Sequence, residues 1–107
     1  MRRIASVIGL PAAGVERYES LHAAVWPDVL ARLSASHVVN YSIYRHGELL
    51  FSYMEYTGDD FEGDMAAMAA DPATQAWWAE CKPLQRPVED RAEGEWWKEL
   101  PELFHLD

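Results

Sequence analysis

The sequence predicts an α+β fold in which an antiparallel, ferredoxin-like sheet carries its helices on one face. The first observation behind this prediction is the order of the segments, which runs strand, helices, hairpin, helices, strand. The second is the hairpin itself, in which two β-rich segments flank a short turn at residues 45 to 48. The third is size, because 107 residues that are 50% apolar suffice for one hydrophobic core. Residues 1 to 107 are therefore expected to form a single domain.

The chain begins with a predicted strand and a predicted helix. Residues 3 to 10 contain β-branched apolar residues over the length of a strand, and a proline and a glycine follow them. Residues 14 to 25 place apolar side chains at spacings of three and four, which is typical of an amphipathic helix. Pro27 cannot continue this helix but fits the first turn of a new one. The first helix is thus expected to end near Val25 or Trp26.

A short second helix, from Pro27 to about Ser36, is expected to lead into the hairpin. Residues 38 to 44 and 49 to 56 are rich in β-branched and aromatic residues, which favour strands. An unbroken period of two would alternate the side chains of the first strand between the two faces of the sheet. That period puts Val39, Tyr41 and Ile43 on one face and Val38, Asn40, Ser42 and Tyr44 on the other. Because both faces carry bulky side chains, both are expected to be covered.

The last part of the chain predicts two helices, a loop and a final strand. A turn with Gly and Asp residues provides the N-cap of a helix that Asp71 and Pro72 interrupt. A further helix starts at Pro72 and runs to about Cys81. Residues 83 to 95 contain two prolines and four acidic residues, which are typical of a surface loop. Residues 103 to 106 are expected to form a last short strand.

The charge balance argues against nucleic acid and membrane partners. Asp and Glu total 18 against 9 Lys and Arg, so the net charge of −9 repels phosphate backbones and anionic lipid headgroups. No apolar run approaches the roughly 18 residues of a membrane-spanning helix, and the segment after Met1 resembles a strand more than a signal-peptide core. The single cysteine, Cys81, allows no internal disulfide. The expectation is a soluble, cytoplasmic protein.

Tyr18 and His22 are the first candidate functional residues. They lie four residues apart in the predicted first helix, so their side chains share a face. An imidazole beside a phenol, and close to the indole of Trp26, has the components of a small acid/base pocket with aromatic walls. The same spacing also fits two core residues whose hydrogen bonds are satisfied within the fold.

The adjacent Trp77 and Trp78 form a second candidate. Neighbouring residues on a helix point about 100° apart, so one indole is expected to pack inward while the other lines an edge or a cavity. A flat indole beside a cavity suits the C–H face of a sugar ring. The alternative is that the pair serves the core and an interface, since aromatic side chains bury large areas. Trp96 and Trp97 leave the same two interpretations open.

Metal and nucleotide chemistry are not indicated by the sequence. The four histidines, at positions 22, 37, 46 and 105, form no i,i+4 pair and have no cysteine partner at zinc-site spacing. The six glycines are scattered, and none forms the G-x-G of a phosphate-binding loop. Cys81 has no sequence signature of a nucleophile and is expected to be a small core residue. No cofactor is expected.

Four pieces of the sequence follow one another over nearly the whole chain: the run Tyr18-x-x-x-His22-x-x-x-Trp26-Pro27-Asp28, the strand Asn40-Tyr41-Ser42-Ile43, the segment Asp71-Pro72-x-x-Gln75-x-Trp77-Trp78 and the ending Leu103-Phe104-His105-Leu106. Together, and in this order, they resemble the L-rhamnose mutarotase family. Relatives that act on L-fucose are also similar to this chain. The short turn at residues 45 to 48 departs from the longer, Asn-containing turn of many rhamnose-specific members. The resemblance therefore leaves the sugar open between L-rhamnose and L-fucose.

The resemblance implies a dimeric, ferredoxin-like α/β barrel that interconverts the α and β anomers of a 6-deoxy-hexose without a cofactor. It also implies that His22 is the proton donor and that Tyr18, Tyr41, Trp77 and Trp78 contact the sugar. Mutarotation requires that a proton reach the ring oxygen and that one leave the anomeric hydroxyl. A histidine with a pKa near 6.5 exchanges protons readily at neutral pH. The second proton-transfer group stays open among a carboxylate, a tyrosine and a bound water.

Two other functions are compatible with the same residues. A cofactor-free monooxygenase of the dimeric α/β-barrel kind also uses histidine, tryptophan and aromatic pockets, and it would consume oxygen when mixed with polyphenols or quinols. A non-catalytic sensing module would bind a sugar or an amino acid in the same pocket. Such a sensor would bind its ligand without accelerating anomer exchange.

Overall fold

The computed structural model describes residues 1 to 107 and contains a four-stranded sheet with four helices. The strands are β1 (Arg2–Gly9), β2 (Val38–His46), β3 (Leu49–Tyr56) and β4 (Lys98–Leu100), and the helices are α1 (Val15–His22), α2 (Pro27–Ala35), α3 (Phe61–Ala70) and α4 (Pro72–Cys81). All strand pairs are antiparallel, in the order β2-β3-β1-β4. This is the ferredoxin-like order, so the predicted α+β class is confirmed. None of the helices is both long and apolar enough to cross a membrane.

The hydrophobic core lies between one face of the sheet and the helices. Ile8 of β1 and Leu50 of β3 provide the sheet side, and both side chains are almost fully buried. The helices contribute Tyr18, Leu21, Val29, Trp77 and Cys81 to the same cluster. Cys81 is thus the small core residue that was expected, and burial raises the pKa of its thiol to about 11. The site residues of α1 and α4 are anchored in this core.

The starts of α2, α3 and α4 confirm the signals read from the sequence. Pro27 and Pro72 occupy the first turns of α2 and α4, where a missing N–H has no intrahelical partner to lose. Asp60 and Asp71 cap α3 and α4, because their carboxylates accept hydrogen bonds from backbone N–H groups three residues later. The interruption between α3 and α4 therefore lies at Asp71, as predicted.

The end of α1 differs from the prediction. The helix stops at His22 and not near Val25 or Trp26. Trp26 has an extended backbone, with φ −62° and ψ 135°, because the ring of a following proline disfavours the helical region. The chain needs a turn at residues 23 and 24 to reach this conformation. His22 consequently lies at the very end of the helix.

The predicted alternation of β2 is wrong because the strand contains a β-bulge. The pairing with β3 shifts between Val39 and Ser42, and Asn40 has a left-handed φ of 49°. Val38 opposes the buried Tyr56 and Ile43 opposes Ser52, so both lie on the helix-covered face. Val39, which was expected to share a face with Ile43, points to the other side. Tyr41, which follows the extra residue, shares the helix-covered face with Ile43.

The last strand also lies elsewhere than predicted. Residues 98 to 100 pair with β1, whereas residues 103 to 106 pair with no strand. Pro101 follows β4 directly and has no N–H to continue the ladder. Leu103, Phe104 and Leu106 are accordingly 79% to 93% exposed.

The segment expected to be a surface loop is tied to the end of β1. Gly9 and Arg86 exchange two backbone hydrogen bonds of 2.8 Å, which form an isolated antiparallel bridge. A Cβ atom on Gly9 would lie 2.6 Å from the carbonyl oxygen of Arg86. Only glycine allows this approach, so Gly9 fixes the position of the neighbouring Gln85.

We expect Gly9→Ala to lower the free energy of unfolding by about 1 to 3 kcal/mol, because the new methyl group overpacks the bridge. Urea denaturation followed by far-UV circular dichroism measures the change. Arg86→Ala is the matched control, since the bridge uses only backbone atoms and the Arg86 side chain is exposed. A Gly9→Ala protein as stable as Arg86→Ala would contradict the role of this close approach.

Candidate functional site

The structure brings Tyr18, His22 and Trp77 into one aromatic cluster. The rings of Tyr18 and His22 are stacked, with centroids 4.0 Å apart and an interplanar angle of 22°. Trp77 meets His22 edge-on at a centroid distance of 5.1 Å, and Trp26 meets Trp77 in the same manner at 5.1 Å. Tyr18 and Trp77 are buried, whereas His22 and Trp26 are only partly buried. The imidazole is therefore held by aromatic rings and keeps access to solvent.

One hydrogen bond fixes which nitrogen of His22 carries the proton in the neutral ring. Nδ1 lies 2.8 Å from the carbonyl oxygen of Tyr18, which can only accept a hydrogen bond, so Nδ1–H is the donor. Nε2 of the neutral imidazole then has a free lone pair. Burial lowers the pKa of His22 below its ordinary value of 6.5, and the bond to the Tyr18 carbonyl only partly opposes this shift. At neutral pH the ring is thus a base that points Nε2 away from the helix backbone.

The hydroxyl of Tyr18 accepts a hydrogen bond from the side chain of Gln85, with Nε2 3.1 Å away. The oxygen of the same carboxamide accepts a 2.8 Å hydrogen bond from the indole N–H of Trp96. Burial raises the pKa of Tyr18 strongly, and the hydrogen bond from Gln85 offsets only part of that effect. Tyr18 therefore keeps its proton throughout the physiological pH range.

Tyr41 approaches the same region from the sheet. Over the whole residue it is 41% exposed, but desolvation of its hydroxyl end raises its pKa to about 12. A negative charge on Cys81 would raise the pKa of Tyr41 further, and a negative charge on Tyr41 would raise the pKa of Tyr18. The phenol of Tyr41 therefore lies near these two groups, on the helix-covered side of the sheet. The bulge at Asn40 gives Tyr41 this orientation, because it reverses the faces of the residues that follow.

Trp78 lies apart from the cluster around His22. It lines an open groove of about 460 Å³, together with Gln75, Ala79, Lys82, Pro83 and Trp96. The ammonium group of Lys82 stands 4.8 Å above the ring of Trp78 and 5.4 Å from that of Trp96. The prediction that the two adjacent indoles differ is confirmed, with Trp77 buried and Trp78 at a groove.

Sequence reasoning missed Gln85 as a candidate and left Trp96 unassigned. Gln85 lies in the segment expected to be a surface loop, and nothing in its sequence neighbourhood distinguishes it from a solvated glutamine. Its partners, Tyr18 and Trp96, are 67 and 11 residues away along the chain. Trp96 belonged to an adjacent tryptophan pair, which was the one local signal available.

No group of three or more His, Cys, Asp or Glu side chains is arranged to hold a metal ion. His37 and Asp64 form a 3.0 Å pair at the start of α3, and the hydroxyl of Tyr56 donates a short hydrogen bond to the same carboxylate. This set joins the hairpin to α3 and includes none of the aromatic cluster residues. The polar side chains of Tyr41 and Gln85 approach Tyr18 from outside the cluster.

Comparison with known sequences identifies several mutarotases as similar. A family model described as L-rhamnose mutarotase matches residues 3 to 106. An L-fucose mutarotase of Xanthomonas campestris pv. campestris is 36% identical, over 99% of this chain and 89% of its own length. An L-rhamnose mutarotase of Phocaeicola vulgatus is 33% identical, over the full length of both chains.

Two solved structures share the fold over the full length of both chains. The L-rhamnose mutarotase FA22100 of Formosa agariphila superposes with a TM-score of 0.77 at 21% sequence identity. Tetracenomycin F2 cyclase of Streptomyces glaucescens, a type-II polyketide cyclase, superposes with a TM-score of 0.71 at 16% identity. At these identities the likeness establishes the fold and leaves the chemistry to other observations.

We expect Trp77 and Trp78 to differ in what they contribute to stability. Trp77→Ala should lower the free energy of unfolding by about 3 to 5 kcal/mol, because the indole is buried against Trp26 and His22. Trp78→Ala should cost clearly less, since its ring is partly exposed in the groove. Urea denaturation of both variants measures the difference. Equal losses in the two variants would contradict the separate placement of the indoles.

Proposed function

This chain belongs to the L-rhamnose mutarotase family, a family of isomerases, and we propose that it interconverts the α and β anomers of a 6-deoxy-hexose, L-rhamnose or L-fucose. The observation that carries the mechanism is the partly exposed imidazole of His22, whose Nδ1–H is bonded to the Tyr18 carbonyl and whose Nε2 is free. A neutral imidazole fixed in one tautomer is suited to take a proton and return it.

His22 acts first as a proton acceptor in this proposal. The lowered pKa leaves Nε2 unprotonated at neutral pH, so it removes the proton from the anomeric hydroxyl of the sugar. The electron pair of that O–H bond forms the aldehyde C=O, and the bond between the anomeric carbon and the ring oxygen breaks. The resulting imidazolium then donates the proton to the ring oxygen.

One imidazole suffices for both transfers, because the hydroxyl oxygen and the ring oxygen are bonded to the same carbon. No carboxylate is hydrogen-bonded to His22, whose one side-chain hydrogen bond is to a carbonyl. After ring opening the aldehyde carbon rotates, and the reverse sequence of steps closes the ring with the opposite configuration. His22 acts as the proton donor when the imidazolium protonates the ring oxygen. In this proposal one side chain therefore performs both proton transfers.

The sugar is proposed to lie over the exposed edge of the aromatic cluster. Tyr18 and Tyr41 are both kept protonated by burial, so their hydroxyls can donate hydrogen bonds to sugar oxygens. The edge of Trp77 forms an apolar wall beside His22. Trp78 and the adjacent groove would contact the sugar from the side of Trp96. Apolar C–H faces of a deoxy-sugar suit such aromatic surfaces.

We also propose that a second copy of this chain covers the outer face of the sheet. The core helices pack on the other face. The outer face carries a row of apolar residues on three strands, in which Val7 of β1 and Tyr44 of β2 both pair with Phe51 of β3, and Lys98 of β4 ends the row beside Val7. Tyr44 is 65% exposed, and the unpaired residues 103 to 106 add further exposed apolar surface. Exposed apolar area of this kind is typical of a protein interface.

His22→Gln should lower the rate of anomer exchange about 10²- to 10⁴-fold while the fold is kept, because the amide cannot accept and return a proton. Saturation-transfer NMR on the anomeric protons of L-rhamnose and L-fucose measures the exchange, with the spontaneous rate subtracted. His46→Gln, at the exposed end of the hairpin, is the matched control. A wild-type protein that binds a sugar without accelerating exchange would be a sensor, and oxygen uptake with quinols would point to a monooxygenase.

The pH profile of the wild-type enzyme provides the second readout of His22. Protonation of Nε2 removes the base, so kcat/KM should fall as the pH is lowered through the pKa of His22 in the free enzyme. Because burial lowers that pKa, the midpoint of the acid limb should lie below 6.5. A midpoint above 6.5, or full exchange activity in His22→Gln, would rule out this mechanism.

Tyr44→Glu should convert a dimer into a monomer, because the substitution places two carboxylates in the apolar interface. Light scattering at micromolar concentration should give twice the chain mass for the wild type and a single chain mass for the variant. Leu30→Glu, at an exposed position of α2, changes the charge equally and should remain dimeric. A wild-type protein that is monomeric under these conditions would refute the assembly.

A further inference from the structure

Gln85 is held so that the orientation of its carboxamide is unambiguous. The indole N–H of Trp96 can only donate, so the group that lies 2.8 Å from it must be the carboxamide oxygen. The NH₂ group is thereby directed at the hydroxyl of Tyr18, 3.1 Å away. The bridge between Gly9 and Arg86 fixes the backbone next to Gln85. Both ends of this side chain are therefore constrained.

This orientation determines how the hydroxyl of Tyr18 can bond. The oxygen of Tyr18 accepts from Gln85, while its own proton is donated to no protein atom. Tyr18 is 3% exposed, so its side chain has almost no contact with solvent. Burial raises the pKa of Tyr18, which keeps the proton in place. A buried phenol in this state is a hydrogen-bond donor that lacks an acceptor.

We propose that Gln85 is a positioning residue that makes Tyr18 a dedicated hydrogen-bond donor to an acceptor oxygen of the bound sugar. This inference rests on the proposed function, in which the sugar lies beside His22 and Tyr18. The ring oxygen of a pyranose is the one sugar oxygen with lone pairs and no proton, so it matches a fixed donor. A hydrogen bond to that oxygen also favours the cleavage of its bond to the anomeric carbon.

Gln85→Glu tests this inference because it replaces the NH₂ donor that faces Tyr18 with an acceptor oxygen and changes the shape of the side chain little. A carboxylate accepts from the indole N–H of Trp96 and also accepts from Tyr18, so both neighbours stay bonded. The O–H of Tyr18 then donates to the new carboxylate and is no longer available as a donor to the sugar. Gln85→Met removes the bond to Tyr18 without capturing its proton. Affinity for L-fucose or L-rhamnose, measured by calorimetry, should decrease in the order wild type, Gln85→Met, Gln85→Glu.

We expect Gln85→Glu to weaken binding at pH 7 by about tenfold or more, the equivalent of one lost hydrogen bond. At a pH low enough to protonate the new carboxyl group, its O–H can donate to Tyr18, and the affinity relative to wild type should recover. The ratio to wild type is used because His22, Tyr41 and Cys81 also face Tyr18, and Lys82 faces Trp96. Ser34→Glu, at an exposed position of α2, controls for the added charge.

A double-mutant comparison and the wild type separate the remaining outcomes. In a Tyr18→Phe background, Gln85→Glu should have little further effect on affinity, because there is no hydroxyl to reorient. If Gln85 only supports the fold, Gln85→Glu should bind like wild type and better than Gln85→Met, which would overturn this inference alone. A wild-type protein that neither binds nor interconverts either sugar would overturn the proposed function and this inference together. If Gln85→Glu does not fold, Trp96→Phe replaces it, and unchanged sugar affinity in that variant would equally overturn the inference.

Discussion

The buried side chain of Tyr18 joins the hydrophobic core to the candidate site. Its ring packs in the same cluster as Ile8 and Leu50 of the sheet, and its face stacks on His22. Its backbone carbonyl fixes the tautomer of that imidazole, and its hydroxyl accepts the hydrogen bond from Gln85. One residue thus links packing, the orientation of the base and the position of a distant loop. A change in how α1 packs on the sheet would alter all three.

Burial shifts the pKa values of the base and of the two phenols at this site in opposite directions. Burial disfavours the charged form of every side chain, so it lowers the pKa of His22 and raises the pKa values of Tyr18 and Tyr41. At neutral pH the site therefore holds one free base and two phenols that retain their protons. This combination matches a reaction in which one proton is taken and returned while the sugar oxygens receive hydrogen bonds. Desolvation is the largest cause of each of these pKa shifts, and no carboxylate is paired with His22.

The two faces of the sheet carry different groups of residues. The helix-covered face holds the core and orients the aromatic cluster, while the outer face carries the apolar row that includes Phe51 and Tyr44. The bulge at Asn40 is what allows β2 to serve both, because it turns Tyr41 toward the helices and Val39 away from them. A regular strand would have placed Tyr41 on the face opposite His22.

The sequence by itself determined the features that depend on a few neighbouring residues. The prolines at 27 and 72, the N-cap in the turn before α3, the interruption at Asp71, the hairpin and the order of the elements were all predicted and are present. The ferredoxin-like class and the shared face of Tyr18 and His22 were predicted with them. Only the tertiary structure decided the end of α1, the bulge, the position of β4 and the separation of Trp78 from the cluster. It alone also brought Gln85 between Tyr18 and Trp96. Local preferences depend on residues within one or two helical turns of each other. Strand register, and contacts such as that between Tyr18 and Gln85, 67 positions apart, depend instead on the packing of the whole chain. The chain adopts the packing that buries the most apolar surface while its buried polar groups stay hydrogen-bonded.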